Sequence, residues 1–112
     1  MDKTFQKKSY WTAVYEVVLC IPEGRVSTYG AIADYLALGS ARMVGWALNH
    51  CHTSEEFIPA HRVVNRKGEL SGRLQFPTPT AMQEALEAEG ISIKKDRVVD
   101  FDKLFWHPQE ID

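Results

Sequence analysis

Residues 27–50 read STYGAIADYLALGSARMVGWALNH, and their pattern is the strongest indication of fold in the chain. A hydroxyl residue at its start, Ser27 or Thr28, is a good N-cap for a short helix. The apolar residues that follow at helical spacing form the expected buried side: Ile32, Tyr35 and Leu36. Gly39 and Ser40 then interrupt the helical pattern, which predicts a tight turn.

A second short helix is predicted from residue 40 to about residue 50. Three apolar residues form its inner face: Val44, Ala47 and Leu48. Two short helices joined by a tight turn that contains glycine are typical of a helix-turn-helix, in which the second helix contacts DNA. A plain αα-hairpin whose glycine aids packing fits the same pattern, so these residues alone leave both interpretations open.

The exposed side of the second helix is unusually small, because Ala41 and Gly45 flank Arg42. Small residues allow a helix to lie close to the floor of a groove, and a single arginine beside them is able to project between stacked bases. We therefore expect Ala41, Arg42 and Gly45 to contact DNA if this is a recognition helix.

Further elements surround this pair. An amphipathic helix is predicted over residues 4–20, and its apolar stripe is Tyr10, Trp11, Val14, Tyr15, Val18 and Leu19. A Pro-Gly turn at residues 21–24 ends it. Residues 63–64 predict a strand that continues through a turn at residues 65–68 into a hairpin, and residues 69–76 form a loop or wing.

The last third is predicted to hold one more helix and a second short strand region. The helix spans residues 80–89, with Met82, Ala85 and Leu86 inward, Glu84, Glu87 and Glu89 largely outward, and Gly90 as its stop. Residues 91–101 predict the strands, and residues 105–106 form a terminal lid. The expected fold class is mainly α: a winged helix-turn-helix-like DNA-binding domain with a small β-hairpin or wing.

Composition limits the class of protein. The chain has 112 residues, 45% of them hydrophobic and 25% charged, which is ordinary for one globular domain spanning residues 1–112. We see no apolar run that would span a membrane and no signal-peptide pattern, and the two cysteines are expected to be free thiols in a cytoplasmic protein. The net charge of −2 is uneven, with +2 over residues 1–75 and −4 over residues 76–112, and this permits a basic face.

Residues 58–64, IPAHRVV, resemble an active-site loop without its reactive residue. Ala60 stands between Pro59 and His61, where a nucleophile would be, and a methyl group cannot attack a substrate. Cys51 is the nearest thiol, so a Cys51–His61 nucleophile pair is an alternative. The cluster of His50, Cys51 and His52 lacks a second pair at zinc-binding spacing, and we expect neither a metal nor a cofactor.

Four segments together resemble the O6-alkylguanine-DNA alkyltransferase family: IPEGRVSTYG at 21–30, ARMVG at 41–45, IPAHRVV at 58–64 and EG at 89–90. They follow the family's order and spacing over nearly the whole chain. In active members a cysteine at the position of Ala60 accepts the alkyl group from guanine. A chain without that cysteine is similar to the alkyltransferase-like proteins, which bind alkylated DNA without repairing it.

The resemblance implies a role for each matching residue. Tyr29 would press on the phosphate 3′ to the lesion, and Arg42 would fill the place of the flipped nucleotide and hydrogen-bond the orphaned cytosine. His61 and Glu89 match the pair that activates the cysteine through water, and with Ala60 they form a vestigial frame with no catalytic function. Arg73, a tyrosine in the enzymes, would contact the flipped guanine. The implied lesion pocket is Tyr29, Ala60, Val63 and Arg73.

The resemblance therefore implies a non-catalytic sensor of O6-alkylguanine in double-stranded DNA that flags lesions for nucleotide excision repair proteins. The protein would be a monomer, cytoplasmic and associated with the nucleoid when bound to DNA. Two alternatives stay open: an alkyltransferase that uses Cys51, and a helix-turn-helix transcription regulator that binds the major groove.

Overall fold

The computed structural model describes residues 3–111, and the side chains of residues 10–111. The helices are α1 (Lys3–Leu19), α2 (Tyr29–Tyr35), α3 (Ala41–Asn49), α4 (Ala81–Ala88) and α5 (Phe101–Leu104). The strands are β1 (Ser27–Thr28), β2 (Val63–Val64), β3 (Ile93–Lys94) and β4 (Arg97–Val98). Short 3₁₀ turns lie at Cys51–Thr53, Ala60–Arg62, Arg73–Gln75 and Pro108–Glu110. About half of the chain is helical, which confirms the predicted mainly α class with a small β-hairpin.

The helix pair α2–α3 is confirmed, and its caps explain where each helix begins. The Thr28 hydroxyl accepts a hydrogen bond from the backbone N–H of Ala31 at 3.0 Å, and the Ser40 hydroxyl accepts one from Arg42 at 3.0 Å. Each cap satisfies one of the amides that a helix N-terminus leaves without a partner. Of the two candidate caps, Thr28 is therefore the cap, and Ser27 lies in the buried strand β1.

Helix α1 supports α3 from the side opposite its exposed face. The Tyr10 hydroxyl donates to the Met43 carbonyl at 2.8 Å, and the Tyr15 hydroxyl donates to the Ala47 carbonyl at 2.7 Å. The predicted inner face of α3 is confirmed, since the residues that form it are all buried: Val44, Ala47 and Leu48. The prediction that Leu19 and Tyr35 are buried is wrong, because both lie at helix C-terminal ends and are exposed.

Strand β2 does not continue into a hairpin as predicted. It pairs in parallel with β1, with Ser27 opposite Val63 and Thr28 opposite Val64. Both valines are fully buried, which is typical of parallel strands, because these are usually covered on both faces. The predicted turn at residues 65–68 does form: the Gly68 N–H donates to the Asn65 carbonyl at 2.9 Å, and Gly68 has a φ of +81°.

The second strand region is confirmed as an antiparallel hairpin of β3 and β4, with Ile93 opposite Val98. Helix α4 ends before Gly90, whose φ of +87° confirms the predicted helix stop. Trp106, in the predicted terminal lid, is buried, and its backbone N–H donates to the Val26 carbonyl at 2.7 Å. No helix within residues 3–111 has the length and apolar character that crossing a membrane requires.

Candidate nucleic-acid interface and pocket

The parallel pairing of β1 with β2 places two distant parts of the chain at one site. Tyr29 begins α2 directly after β1, and the turn Ala60–Arg62 leads directly into β2. Both Tyr29 and Ala60 consequently line a pocket of about 470 Å³. This volume lies within the range typical of small-molecule sites. Most of its remaining wall comes from residues 51–52 and 54–58, His61, Gly72 and residues 75–77.

The loop that carries Ala60 is sharply bent. Pro59 has a φ of −77° and a ψ of 65°, and the N–H of Ala60 donates to the Ile58 carbonyl at 2.7 Å. This is the geometry of an inverse γ-turn, and proline suits its centre because the ring already fixes φ. The turn places the methyl group of Ala60 on the pocket wall immediately before the buried side chain of His61.

Behind this wall, the Glu89 carboxylate accepts hydrogen bonds from three residues in two separate segments of the chain. His61 Nε2 lies 2.6 Å from Oε2, Arg62 Nε lies 3.0 Å from both oxygens, and the Gly24 N–H lies 2.9 Å from Oε1. Burial alone would raise the pKa of Glu89. The donors, Arg62 first and then His61 and Gly24, outweigh burial and hold that pKa at about 2, below its usual 4.5.

The prediction that Glu89 points outward is wrong, since only 10% of its side chain is exposed. Helix α4 ends at Ala88, so the helical repeat no longer sets the direction of Glu89, which is the C-cap. The structure does bring Ala60, His61 and Glu89 together, as the family resemblance implies. Arg62, which also donates to the Ile21 carbonyl at 2.9 Å, is a further member of this group that sequence reasoning missed.

Tyr29 lines the same pocket and lies close to Gly72. Burial raises the pKa of its hydroxyl, and a hydrogen bond with Ser71 acts in the other direction. A Cβ atom on Gly72 would lie 2.6 Å from this hydroxyl oxygen, so the position of the tyrosine ring requires glycine there. The contact between Gly72 and Tyr29, the first residue of α2, therefore shapes this side of the pocket.

The other two residues of the implied lesion pocket lie elsewhere in this structure. Val63 is completely buried in the core. The Arg73 guanidinium donates from Nη1 to the Leu70 carbonyl at 3.1 Å, and its Nε lies 3.7 Å from the Asp96 carboxylate. Sequence reasoning also missed the segment of residues 52–58 as a pocket wall. Its position directly before Pro59 was a usable signal, because any pocket at Ala60 is bounded by the chain that enters the turn.

The outer face of α3 has the small surface that the sequence predicts. Ala41 and Arg42 are exposed, and a Cβ atom built on Gly45 meets nothing within 4 Å. Trp46, one turn after Arg42, is 52% exposed, so this tryptophan is not a core residue. The C-terminal end of α3 is braced by His50, whose ring stacks on Trp11 with centroids 4.7 Å apart.

Residues 9–91 match the family model of the DNA-binding domain of 6-O-methylguanine DNA methyltransferase. The chain belongs to this family. It is 44% identical to alkyltransferase-like protein 1 of Schizosaccharomyces pombe over 85 residues, which are 75% of this chain and 78% of that protein. It is also 34% identical to the DNA base-flipping protein of Escherichia coli over 107 residues, which are 95% of this chain and 81% of that protein.

Solved structures agree with this membership. The fold matches S. pombe Atl1 in complex with damaged DNA containing O6-carboxymethylguanine, with a TM-score of 0.78 and 35% identity. The match covers 90% of this chain and 97% of the Atl1 chain. The fold and the family resemblance predicted from the sequence are thus confirmed.

Proposed function

We propose that this protein is a non-catalytic sensor that binds O6-alkylguanine in duplex DNA. The observation that carries the proposal is the position of Ala60 on the wall of a pocket, directly before a His61 that is hydrogen-bonded to Glu89. The frame that would activate a nucleophile is complete, but the nucleophile is absent, since a methyl group accepts no alkyl group. Such a pocket holds a base without reacting with it.

Binding would begin with α3 in the minor groove. Ala41 and Gly45 allow close approach to the groove floor, and Arg42 projects from the first turn of the helix. Rotating a nucleotide out of the duplex costs a few kcal/mol in lost stacking and pairing, and a side chain that fills the gap offsets part of this cost. Arg42 would fill the gap and Tyr29 would press on the 3′ phosphate while the base enters the pocket.

Two relatives of the chain support this assignment. One is a DNA base-flipping protein, and another is an alkyltransferase-like protein whose structure contains DNA with O6-carboxymethylguanine. Both activities fit a pocket beside a helix-turn-helix. We propose that the same two functions, flipping and lesion binding, are combined in this chain.

The test compares duplexes of identical sequence that contain either O6-methylguanine or guanine at one position. We expect tighter binding of the methylated duplex in a mobility-shift assay, and equal affinity would reject lesion recognition. The mass of the intact protein, measured after incubation, is expected to be unchanged.

That mass measurement also tests the alternative of alkyl transfer to Cys51. The thiol lines the pocket, but burial raises its pKa, which favours the protonated form over the nucleophilic thiolate. His61 Nε2 is moreover engaged by Glu89. A permanent mass increase of one methyl group on Cys51 would establish the enzyme alternative in place of ours.

The transcription-regulator alternative predicts sequence-specific binding to undamaged DNA through the major groove. We propose instead that binding depends on the lesion and that the bound monomer passes it to nucleotide excision repair proteins in the cytoplasm or nucleoid. Selection of a specific undamaged sequence from a random pool would favour the regulator. Lesion-dependent capture of excision repair proteins on immobilised duplex would support the sensor.

A further inference from the structure

The permanently charged residues of the pocket lining all carry negative charge. Six titratable side chains line the pocket: Tyr29, Cys51, His52, Glu55, Glu56 and His61. Among the lining residues that the structure describes, none is lysine or arginine. Two glutamates, Glu55 and Glu56, therefore belong to the described lining, and no residue with a permanent positive charge does.

We propose that this pocket discriminates among O6-alkylguanines by the charge of the alkyl group, favouring neutral and cationic groups over anionic ones. The inference rests on the proposed function and narrows its ligand class. Glu55 and Glu56 would be the specificity-determining residues, because they carry the negative charge of the wall.

The cations nearest in sequence to the site do not compensate for these carboxylates. Arg62 forms an ion pair with Glu89, with Nη2 2.9 Å from Oε2, and the carboxylate neutralises its charge. Arg73 lies outside the lining and is 3.7 Å from the carboxylate of Asp96. His61 is also hydrogen-bonded to Glu89, and His52, the other lining imidazole, makes no ion pair with a carboxylate within the described part of the chain.

The remainder of the wall strengthens the effect of the carboxylates. Leu48, Phe57, Ile58 and Phe76 contribute apolar surface to the pocket. Apolar walls lower the local dielectric constant, so a cleft lined by one sign of charge acts more strongly on a charged ligand than a flat surface does. Because Glu55 and Glu56 are exposed, salt screens them, and we expect about three- to tenfold discrimination at low ionic strength.

An anionic O6 substituent is a relevant ligand, since S. pombe Atl1 is seen with O6-carboxymethylguanine. Its neutral counterpart of nearly the same shape is O6-carbamoylmethylguanine, and O6-(2-aminoethyl)guanine supplies a cation. Comparing the three in one duplex sequence separates charge from size. The ratio of affinities for two lesions also cancels the general attraction of the protein for the phosphate backbone.

The experiment measures the Kd of each duplex at low and at physiological salt. We expect carbamoylmethyl and aminoethyl adducts to bind more tightly than the carboxymethyl adduct, with a ratio that shrinks as salt rises. The double variant Glu55→Gln, Glu56→Gln should bring that ratio close to one. The matched control Glu23→Gln, Glu87→Gln removes two charges from outside the pocket lining and should leave the ratio unchanged.

Three other outcomes would overturn the inference. They are equal affinity for the carbamoylmethyl and carboxymethyl duplexes at low salt, a ratio that survives the pocket double variant, and a ratio that the control variant abolishes equally well. Any of these, with O6-methylguanine still preferred over guanine, leaves the proposed function standing. Loss of the preference for O6-methylguanine removes the proposed function and this inference together.

Discussion

Glu89 Oε2 lies 2.6 Å from His61 Nε2, and both side chains are almost completely buried. The pair joins the end of α4 to the pocket wall, and Arg62 and the Gly24 amide complete the set of donors to the same carboxylate. Without a thiol at position 60, this network has no proton to take from a nucleophile. Its remaining consequence is structural, because it holds three separate segments around one buried charge.

Removing the charge should therefore destabilise the fold. We expect Glu89→Gln to lower the free energy of unfolding by about 2–3 kcal/mol, because the variant leaves Arg62 without its ionic partner in a nearly buried site. Denaturant unfolding measures the change. Glu87→Gln, at an exposed position two residues away, is the control and should alter stability by less than about 0.5 kcal/mol. Equal effects of the two substitutions would contradict the structural role.

Stability should also fall in acid. The pKa of Glu89 is about 2 in the folded protein, against the ordinary value of 4.5 that applies to the unfolded chain, so folding favours the ionised carboxylate. This contribution is fully present above about pH 5 and is lost as the pH falls through 4.5 toward 2, and it amounts to about 3 kcal/mol. Unfolding midpoints measured between pH 7 and pH 3 should decline, and the decline should be smaller in Glu89→Gln. Parallel curves for the two proteins would exclude Glu89 as the source.

Arg42→Ala should abolish base flipping while the fold remains intact. The side chain is exposed, and the hydrogen bond that residue 42 donates to the Ser40 hydroxyl comes from its backbone N–H alone. Because flipping costs a few kcal/mol, loss of the filling side chain should reduce lesion affinity by about 10- to 100-fold. A fluorescent base analogue opposite or beside the lesion reports flipping. Arg66→Ala removes the same charge from an exposed turn and should change affinity only slightly; similar losses in both variants would indicate general electrostatics instead.

Gly72 and Tyr29 should show strong coupling. The φ of Gly72 is −91°, which alanine adopts freely, so the cost of Gly72→Ala comes from the Cβ atom placed 2.6 Å from the Tyr29 hydroxyl. We expect a destabilisation of about 1–2 kcal/mol and weaker lesion binding. In a Tyr29→Phe background the cost of Gly72→Ala should nearly vanish, because the next atom of the ring lies at 3.9 Å.

A double-mutant cycle of unfolding free energies measures this coupling. Gly45→Ala is the matched glycine control, since its Cβ meets nothing within 4 Å and alanine is the better helix former. That variant should be as stable as the parent or more so. Additive effects of Gly72→Ala and Tyr29→Phe would show that the close approach does not shape the pocket.

Local patterns in the sequence predicted the structure correctly where a feature depends on a single helix and its ends. The cap at Thr28, one of two candidates, the inner face of α3 and the stop at Gly90 all follow from short-range hydrogen bonds or helical spacing, and all are confirmed. The predictions for Leu19 and Tyr35 were wrong because each lies at a helix end, where the packing of neighbouring elements decides exposure rather than the helical repeat.

Residue identity and local spacing were sufficient to predict the helix pair and the family, and they place an alanine between Pro59 and His61. Packing between distant segments sets the pairing of β2 with β1, the inward direction of Glu89 and the place of residues 51–52 and 54–58 in the pocket lining. These features join segments far apart in the chain. Their energies come from burial and from hydrogen bonds to a shared carboxylate, which no single stretch of sequence contains.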